Sequence, residues 1–446
     1  MQEFFFLFFY ILFPIVWYFF LKFSKINIFT ISIPSFLVIS IFIYQYLGFP
    51  ILFFYLDDYR ASLILERAII WEIFLWTSLT ITLIFLGFVI AYHKFKTENL
   101  ISYNYSLSVI KSCDQFQKLM LIILFVLSVS VLYLYLSKVG WDNIALLSSI
   151  GVYEIEFSDK ALRSSMGNAF EGKYHWYRLF MRDFLSIVSV AFFGQWLINK
   201  KFFSFLIFFI SFVICVFSML MAIEKGPILW YLISLYLIYV LIFNQGNFRF
   251  NHLILIGLFT IILIGIMYIY FMNSKNLLFG IERGISRIIT GSMQPLYFYL
   301  EIFPEKVSFL GGRSFPNPGG IYPYESLSLT TMVHNIIFPE YLEKGITGSS
   351  PTFFWGEMYA NFGYLGIIFP PFFIGYLLYW FNKILLSLPK NPLVISFFIW
   401  IVLHYKNLAV SSLSSFIIDI KMIIVTSILI LIISIPNKFK IKYLKS

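Results

Sequence analysis

The chain has 446 residues, of which 60% are hydrophobic and only 12% are charged, and its mean hydropathy is +0.86. Soluble domains carry about 25% charged residues, so this composition excludes an ordinary soluble protein. It predicts an all-α protein that crosses a membrane many times. The net charge of +10 falls mainly in short loops between hydrophobic segments, so we interpret it as a sign of membrane topology and not of nucleic-acid binding.

Hydrophobic segments of about 20 residues, long enough to cross a bilayer as helices, recur along the whole chain. They cover residues 4–22, 28–48, 69–92, 118–137, 180–198, 202–222, 228–244, 253–272, 357–380, 393–411 and 420–435. We therefore predict about 11 transmembrane helices, within a range of about 10–12. The whole chain, 1–446, is expected to form a single integral membrane domain.

The short loops predict the orientation of the chain. Those at 22–27, 93–117, 199–201, 247–252 and 381–392, with the tail 436–446, are strongly basic, and their acidic residues are Glu98 and Asp114. Basic loops remain in the cytoplasm, so the segments 49–68, 138–179 and 273–356 are expected to face outward. The last of these is too long for a passive connector, and we expect it to fold onto the membrane helices.

The large outer loop, 273–356, opens with a predicted amphipathic helix over 277–300. Arg283 and Arg287 are four residues apart and share one face of it, and Pro295 is expected to kink or end it. The Gly- and Pro-rich stretch 311–323 contains Arg313 and predicts a rigid turn. Arginine pairs bidentately with phosphate oxygens, so the three arginines predict a diphosphate site.

The smaller outer loop, 138–179, ends in the run KYHWYRLFMRDF. Its His175, Arg178 and Arg182 fall on one helical face where the chain re-enters the membrane. The two arginines are further candidates for binding diphosphate. Simple anchoring at the lipid headgroups explains them equally well.

The segment GSSPTFFWGEMYANFGYLG, residues 348–366, joins the large loop to the next predicted span. Its Glu357 is either a general base or a carboxylate that interacts with a helix N-terminus. His334 is the other candidate base, because its ordinary pKa is close to neutral. Tyr359 and Asn361 suit hydrogen bonds between helices, and Gly363 and Gly366 suit close helix packing.

Four segments in this order resemble the bacterial O-antigen polymerase family, the Wzy-type oligosaccharide repeat-unit polymerases. They are MLMAIEKGPILW, ERGISRIITGSMQPLYFYLEIFP, FLGGRSFPNPGGIYPYE and GSSPTFFWGEMYANFGYLGI, and the resemblance covers about residues 215–380. It implies a glycosyltransferase C-like fold in the bacterial inner membrane, with the active site facing the periplasm. The reaction it implies moves a growing glycan from undecaprenyl diphosphate onto the terminal sugar of an acceptor repeat unit.

The resemblance also implies roles for particular residues and partners. Arg283, Arg287 and Arg313 would hold the diphosphate without a metal, and His334 or Glu357 would be the catalytic base. Candidate glycan-binding residues are Tyr322, Tyr324, Trp355, Tyr359 and Asn361. The expected partners are the undecaprenyl-diphosphate-linked oligosaccharide, membrane lipid and a regulator of chain length, with no cofactor and no nucleic acid.

Two other functions fit the sequence. An O-antigen ligase, which joins the finished glycan to lipid A core, uses the same chemistry and a similar late loop. A flippase or transporter of lipid-linked oligosaccharide would instead distribute polar residues along the membrane midplane in two symmetric halves. The polar residues here gather near the predicted outer face, which favours the polymerase.

Overall fold

A computed structural model describes residues 2–64, 66–95, 110–149, 166, 170, 174–272, 276–317, 320–343, 348–417 and 419–443. The structure is 77% helical, and these residues contain no strand. The prediction of an all-α protein is therefore confirmed.

The helices of the first half, in chain order, are α1 (Gln2–Phe23), α2 (Ile33–Gln45), α3 (Phe49–Phe53), α4 (Asp58–Ala61), α5 (Arg67–Phe95), α6 (Gln115–Val139), α7 (Ala145–Ser149), α8 (Tyr174–Arg178), α9 (Leu185–Asn199) and α10 (Phe202–Leu220). A π-helical turn, Leu179–Phe184, joins α8 to α9 without a break. Those of the second half are α11 (Lys225–Phe243), α12 (Phe250–Met272), α13 (Leu277–Ile289), α14 (Gln294–Ile302), α15 (Leu329–Ile337), α16 (Pro339–Glu343), α17 (Phe354–Phe362), α18 (Tyr364–Leu386), α19 (Pro392–Tyr405), α20 (Ser414–Ile417) and α21 (Ile420–Tyr443).

Nine helical stretches of the described residues are long and apolar enough to cross a membrane. Each coincides with one of the segments predicted from hydropathy, and two shorter apolar helices, Phe250–Ile266 and Ile420–Ile435, coincide with the other two. The chain is thus a multi-pass membrane protein. The number of eleven spans stays a prediction.

One membrane segment begins later than the sequence predicted. Residues 357–380 were expected to form one span, but the helix divides at Gly363, whose φ of +61° ends α17 before α18 begins. A glycine tolerates this conformation because it has no Cβ. Glu357 therefore lies in the short helix α17, outside the candidate span Tyr364–Leu386. The packing role expected for Gly366 is confirmed, because a Cβ there would meet the backbone carbonyl of Met358.

The predicted amphipathic helix over 277–300 is also two helices. The first, α13, ends at Ile289, and α14 begins at Gln294 with Pro295 in its first turn. Proline is favoured at that place because its missing N–H would have no partner in the helix anyway. Pro295 therefore starts a helix, whereas the sequence predicted that it kinks or ends one.

The chain divides into two compact units. The first comprises Met1–Tyr103, Glu282–Ser387 and Val402–Asp419, and the second comprises Asn104–Ile281, Leu388–Ile401 and Ile420–Ser446. In the second unit, hydroxyls link neighbouring membrane helices: Tyr231 and Ser189 share a hydrogen bond of 2.7 Å, and Ser211 donates to Ser189 at 3.1 Å. Such bonds satisfy polar groups that would otherwise face apolar surroundings.

The first unit is organised by the pair α5 and α18, which make its most extensive helix–helix contact. The two backbones touch at glycines. A Cβ on Gly87 would meet backbone atoms of Phe372 and Tyr376, and a Cβ on Gly375 would meet the backbone of Ile84. Small residues of this kind allow membrane helices to approach closely.

We expect Gly87→Ala and Gly375→Ala each to destabilise the folded protein, because the new methyl group would collide with backbone that cannot rotate away. The expected cost is about 1–3 kcal/mol, seen as a lower midpoint of thermal unfolding in detergent. Gly257→Ala, in α12 with no atom near its Cβ position, is the matched control and should not lower the midpoint. Equal midpoints for all three variants would contradict the close contact.

Candidate functional site

The short helix α17 is fixed to the rest of the first unit by two buried aromatic side chains. The indole N–H of Trp355 donates to the hydroxyl of Thr77 in α5 at 3.1 Å, and the hydroxyl of Tyr359 donates to the carbonyl of Phe303 at 3.0 Å. Trp355 is fully buried and Tyr359 nearly so. The position of α17 is therefore set by contacts on two sides.

The Gly-rich turn that precedes Arg313 docks onto the C-terminal end of α17. Leu310 and Gly311 donate their backbone N–H groups to the carbonyls of Ala360 and Asn361 at 2.9 and 3.0 Å. Gly312 donates to the side-chain oxygen of Asn361 at 2.9 Å. A helix end leaves carbonyls without partners, so this turn supplies the missing donors. Gly312 has a φ of +98°, a conformation that favours glycine.

Glu357 occupies the centre of the site with only 3% of its surface exposed. Ser414 donates both its backbone N–H, at 2.9 Å, and its hydroxyl to the carboxylate, and Ser314 donates its hydroxyl at 3.0 Å. Asn361 in turn donates to the hydroxyl of Ser314 at 2.7 Å. The carboxylate therefore joins α17 to two separate segments, the turn at 314 and the start of α20.

This environment acts on the carboxylate in two opposite directions. Burial raises the pKa of Glu357 above its ordinary value, because a charged group loses its hydration. The hydrogen bonds from Ser414 and Ser314 favour the charged form and offset part of that rise. The sequence allowed two roles for Glu357, a general base or a carboxylate that interacts with a helix N-terminus. The structure shows that its hydrogen bonds from Ser314 and Ser414 come from outside its own helix.

A cavity of about 360 Å³ opens above Glu357. Its floor holds Glu357 itself, Phe353, Thr352, Ser314 and Ser414. The rim is formed by four more hydroxyl residues, which are Ser326, Ser328, Thr330 and Ser412. The floor residues are buried except for the half-buried Ser314, whereas Ser326 and Ser328 are exposed. The arrangement offers a ligand many groups that can both donate and accept hydrogen bonds.

His334, the other predicted base, lies in α15 and is half-buried. Its ring is packed against Gly348, where a Cβ would overlap it, and it stacks on Tyr341 with 6.2 Å between ring centroids. The lining of the cavity around Glu357 does not include it. The structure therefore keeps the two predicted bases in different surroundings.

The three predicted diphosphate arginines of the large loop belong to two segments. Arg283 is half-buried and Arg287 is exposed, both on α13. This helix is held by Asp57, whose carboxylate accepts from Ser286 at 2.6 Å and from Thr290 at 3.0 Å.

Arg313 is exposed on the Gly-rich turn, beside the cavity. It directly precedes Ser314 of the floor. Its backbone carbonyl accepts from the N–H of Leu327, at 2.9 Å, between two residues of the rim. Of the three arginines, Arg313 is thus the one closest in the chain to the residues that line the cavity. It is adjacent to Ser314 of the floor, and its backbone bonds to Leu327, which lies between two rim residues.

Arg178 and Arg182 lie in the second unit. Arg178 is exposed, whereas Arg182 is 5% exposed within the π-helical turn and forms an ion pair with Glu224. Its Nε and Nη2 atoms have no hydrogen-bond partner among the described residues. The predicted common face of the two arginines is therefore divided between an exposed and a buried environment.

The five candidates for binding a glycan fall into two groups, one near the surface and one buried. Tyr322 is exposed and stacks on the half-buried Tyr324, with 5.5 Å between ring centroids. Both contribute to a second, more open hollow with Asn317, whose side chain bonds the backbone of both tyrosines. Trp355, Tyr359 and Asn361 are buried, so they offer almost no exposed surface to a ligand. These three residues build the site in this structure and do not line its cavity.

The serines and threonines that line the cavity were not predicted from the sequence. Ser326, Ser328 and Thr330 recur at every second position in the run ESLSLT, and residues two apart in an extended chain point to one side. Ser412 and Ser414 lie in a polar interruption, VSSLSS, between two apolar stretches. Alternation in the first run was a usable signal. The meeting of the two runs over Glu357 depends on the tertiary fold.

Compared with known proteins, the chain matches no family model, no curated protein and no solved structure. The site must therefore be interpreted from its own chemistry. It combines one buried carboxylate, a set of neutral hydroxyls and a nearby exposed arginine.

We expect Glu357→Ala to lower the stability of the first unit, because two donors of the buried Ser414 and one of the half-buried Ser314 lose their acceptor. Each unsatisfied group costs about 1–3 kcal/mol, and the midpoint of thermal unfolding in detergent measures the loss. Glu357→Gln keeps one acceptor oxygen and should lose less. Glu325→Ala, which removes an exposed carboxylate, is the control and should unfold like the wild type. An unchanged midpoint for Glu357→Ala would show that the carboxylate does not hold the two segments.

Proposed function

We propose that the protein polymerises lipid-linked oligosaccharide repeat units into O-antigen or a similar surface polysaccharide. In this proposal it lies in the bacterial inner membrane, and its cavity faces the periplasm. The growing glycan is transferred from undecaprenyl diphosphate to the acceptor repeat unit. The observation that carries the proposal is the buried carboxylate of Glu357 beneath a hydroxyl-lined cavity in a multi-pass membrane protein.

The residues fit the two requirements of this glycosyl transfer. The acceptor hydroxyl must lose its proton as its oxygen attacks the anomeric carbon, and the bond from that carbon to the diphosphate oxygen breaks. Glu357 is the better candidate to take the proton, because it lines the cavity and burial raises its pKa. His334 remains the alternative base.

The departing diphosphate carries the electrons of the broken bond and needs positive charge near it. Arg313 is exposed beside the cavity, and Arg283 and Arg287 project from the helix that Asp57 fixes. Guanidinium groups held in place before the reaction stabilise such charge without reorganising. The two lipid-linked substrates would be oriented by the membrane itself, which supplies the effect of proximity.

Deletion of the gene tests the proposal against its alternatives. We expect surface glycan that carries a single repeat unit on lipid A core, because transfer of the first unit does not need the polymerase. The length ladder of the surface polysaccharide on a gel measures this, and the wild-type chain supplied from a plasmid should restore it. Long chains that persist would refute polymerisation. Loss of all surface glycan would indicate a ligase or a flippase instead.

We expect Arg283→Ala and Arg313→Ala to stop chain extension, because each removes a charge that the departing diphosphate needs. The rate should fall by a factor of about 10²–10³, measured as repeat units added in purified membranes. Arg249→Ala, at an exposed arginine of a predicted cytoplasmic loop, is the matched control and should extend chains normally. Wild-type chain length in both variants, at equal expression, would remove the diphosphate assignment.

A further inference from the structure

The lining of the cavity around Glu357 has an unusual charge pattern for a site that handles a phosphate-linked substrate. Among the described residues that line it, the only charged side chain is Glu357, which is acidic. No lysine or arginine of the described part of the chain contributes to this lining, and Arg313 on the same turn is exposed. A diphosphate placed inside would meet the carboxylate of Glu357, with no compensating cation among the described lining residues. The cavity therefore suits an uncharged ligand.

The uncharged part of the lining matches a sugar. Ser and Thr hydroxyls each donate one hydrogen bond and accept others, as the hydroxyls of a sugar ring do. Among the described residues, the side chains of Ser326 and Thr330 on the rim form no hydrogen bond within the protein. Phe353, Leu329 and Pro316 provide apolar surface for the C–H groups of a ring. A volume of about 360 Å³ lies at the lower end of the range for ligand clefts, which favours a small ligand.

We propose that this cavity binds an uncharged sugar of the acceptor, and that the diphosphate of the donor binds outside it. This inference rests on the proposed function. The acceptor is chosen because it is the substrate whose hydroxyl must give up a proton, and Glu357 in the floor is the group that can take it. The new bond joins the acceptor oxygen to the anomeric carbon, and the bond from that carbon to the diphosphate breaks. It follows that the sugar bound here carries no carboxylate.

A labelling experiment on the full-length protein in detergent tests the assignment. Ser326→Cys places a thiol on the rim at a position without internal hydrogen bonds, and neutral N-ethylmaleimide reports its accessibility. The two native cysteines, Cys113 and Cys215, are buried, so the parent protein supplies a low background. Ser387→Cys, at an exposed position at the end of α18, is the matched control outside the cavity.

Two probes distinguish the ligand classes. One is the free oligosaccharide repeat unit released from its lipid carrier, and the other is inorganic pyrophosphate. At about ten times its Kd, the oligosaccharide should slow labelling of Ser326→Cys about tenfold by simple occupancy. Pyrophosphate should not change the rate, and neither probe should affect Ser387→Cys. Adding Thr330→Phe, which fills the cavity without removing an internal hydrogen bond, should abolish the protection.

The remaining outcomes overturn the inference. Protection by pyrophosphate would assign the cavity to the diphosphate, and the absence of protection by either probe would show that it holds no glycan. Protection that survives Thr330→Phe would place the sugar elsewhere. These results are separate from the deletion test. If the sugar binds here but deletion of the gene leaves the chain length unchanged, the polymerase function is refuted and the sugar-binding site stands.

Discussion

The carboxylate of Glu357 is the interaction on which the arrangement of the site depends. Its oxygens receive donors from Ser314 and Ser414, which lie 43 and 57 residues away along the chain. Burying a carboxylate is costly unless it is hydrogen-bonded, so the two segments must stay together for the charge to be tolerated. One carboxyl group thus links the Gly-rich turn and the start of α20 to α17.

The glycines and the amide next to this carboxylate extend the same constraint. Gly312 allows the turn to reach the side chain of Asn361, and Gly363 stops α17 so that its last carbonyls are open to that turn. Asn361 then contacts both the turn and the backbone of Glu357. The segment 348–366, which contains Glu357, Asn361 and Gly363, is therefore mainly a structural junction. Any chemistry at Glu357 is performed by a group that also holds the loops in place.

The sequence predicted the helical membrane segments well because hydropathy over about 20 residues directly reflects the bilayer. It predicted the helix at 277–300 and the span at 357–380 less well. The breaks at Ile289 and Gly363 depend on local backbone conformation within stretches whose composition does not change. At the site it found Glu357 and Asn361 as polar residues in an apolar context. It missed Ser314 and Ser414, because a serine has no distinctive pattern and only the fold brings these two to the carboxylate.

The different attachment of floor and rim has a consequence for how such a protein can diversify. Thr352, Ser314 and Ser414 are tied into the hydrogen-bond network of the fold, so a change there disturbs the scaffold. Ser326 and Thr330 touch the cavity without supporting that network. Substitutions at Ser326 and Thr330 can therefore accumulate at little cost in stability and alter which ligand is accepted. Ligand selectivity can thus change through Ser326 and Thr330 while the floor residues keep their structural role.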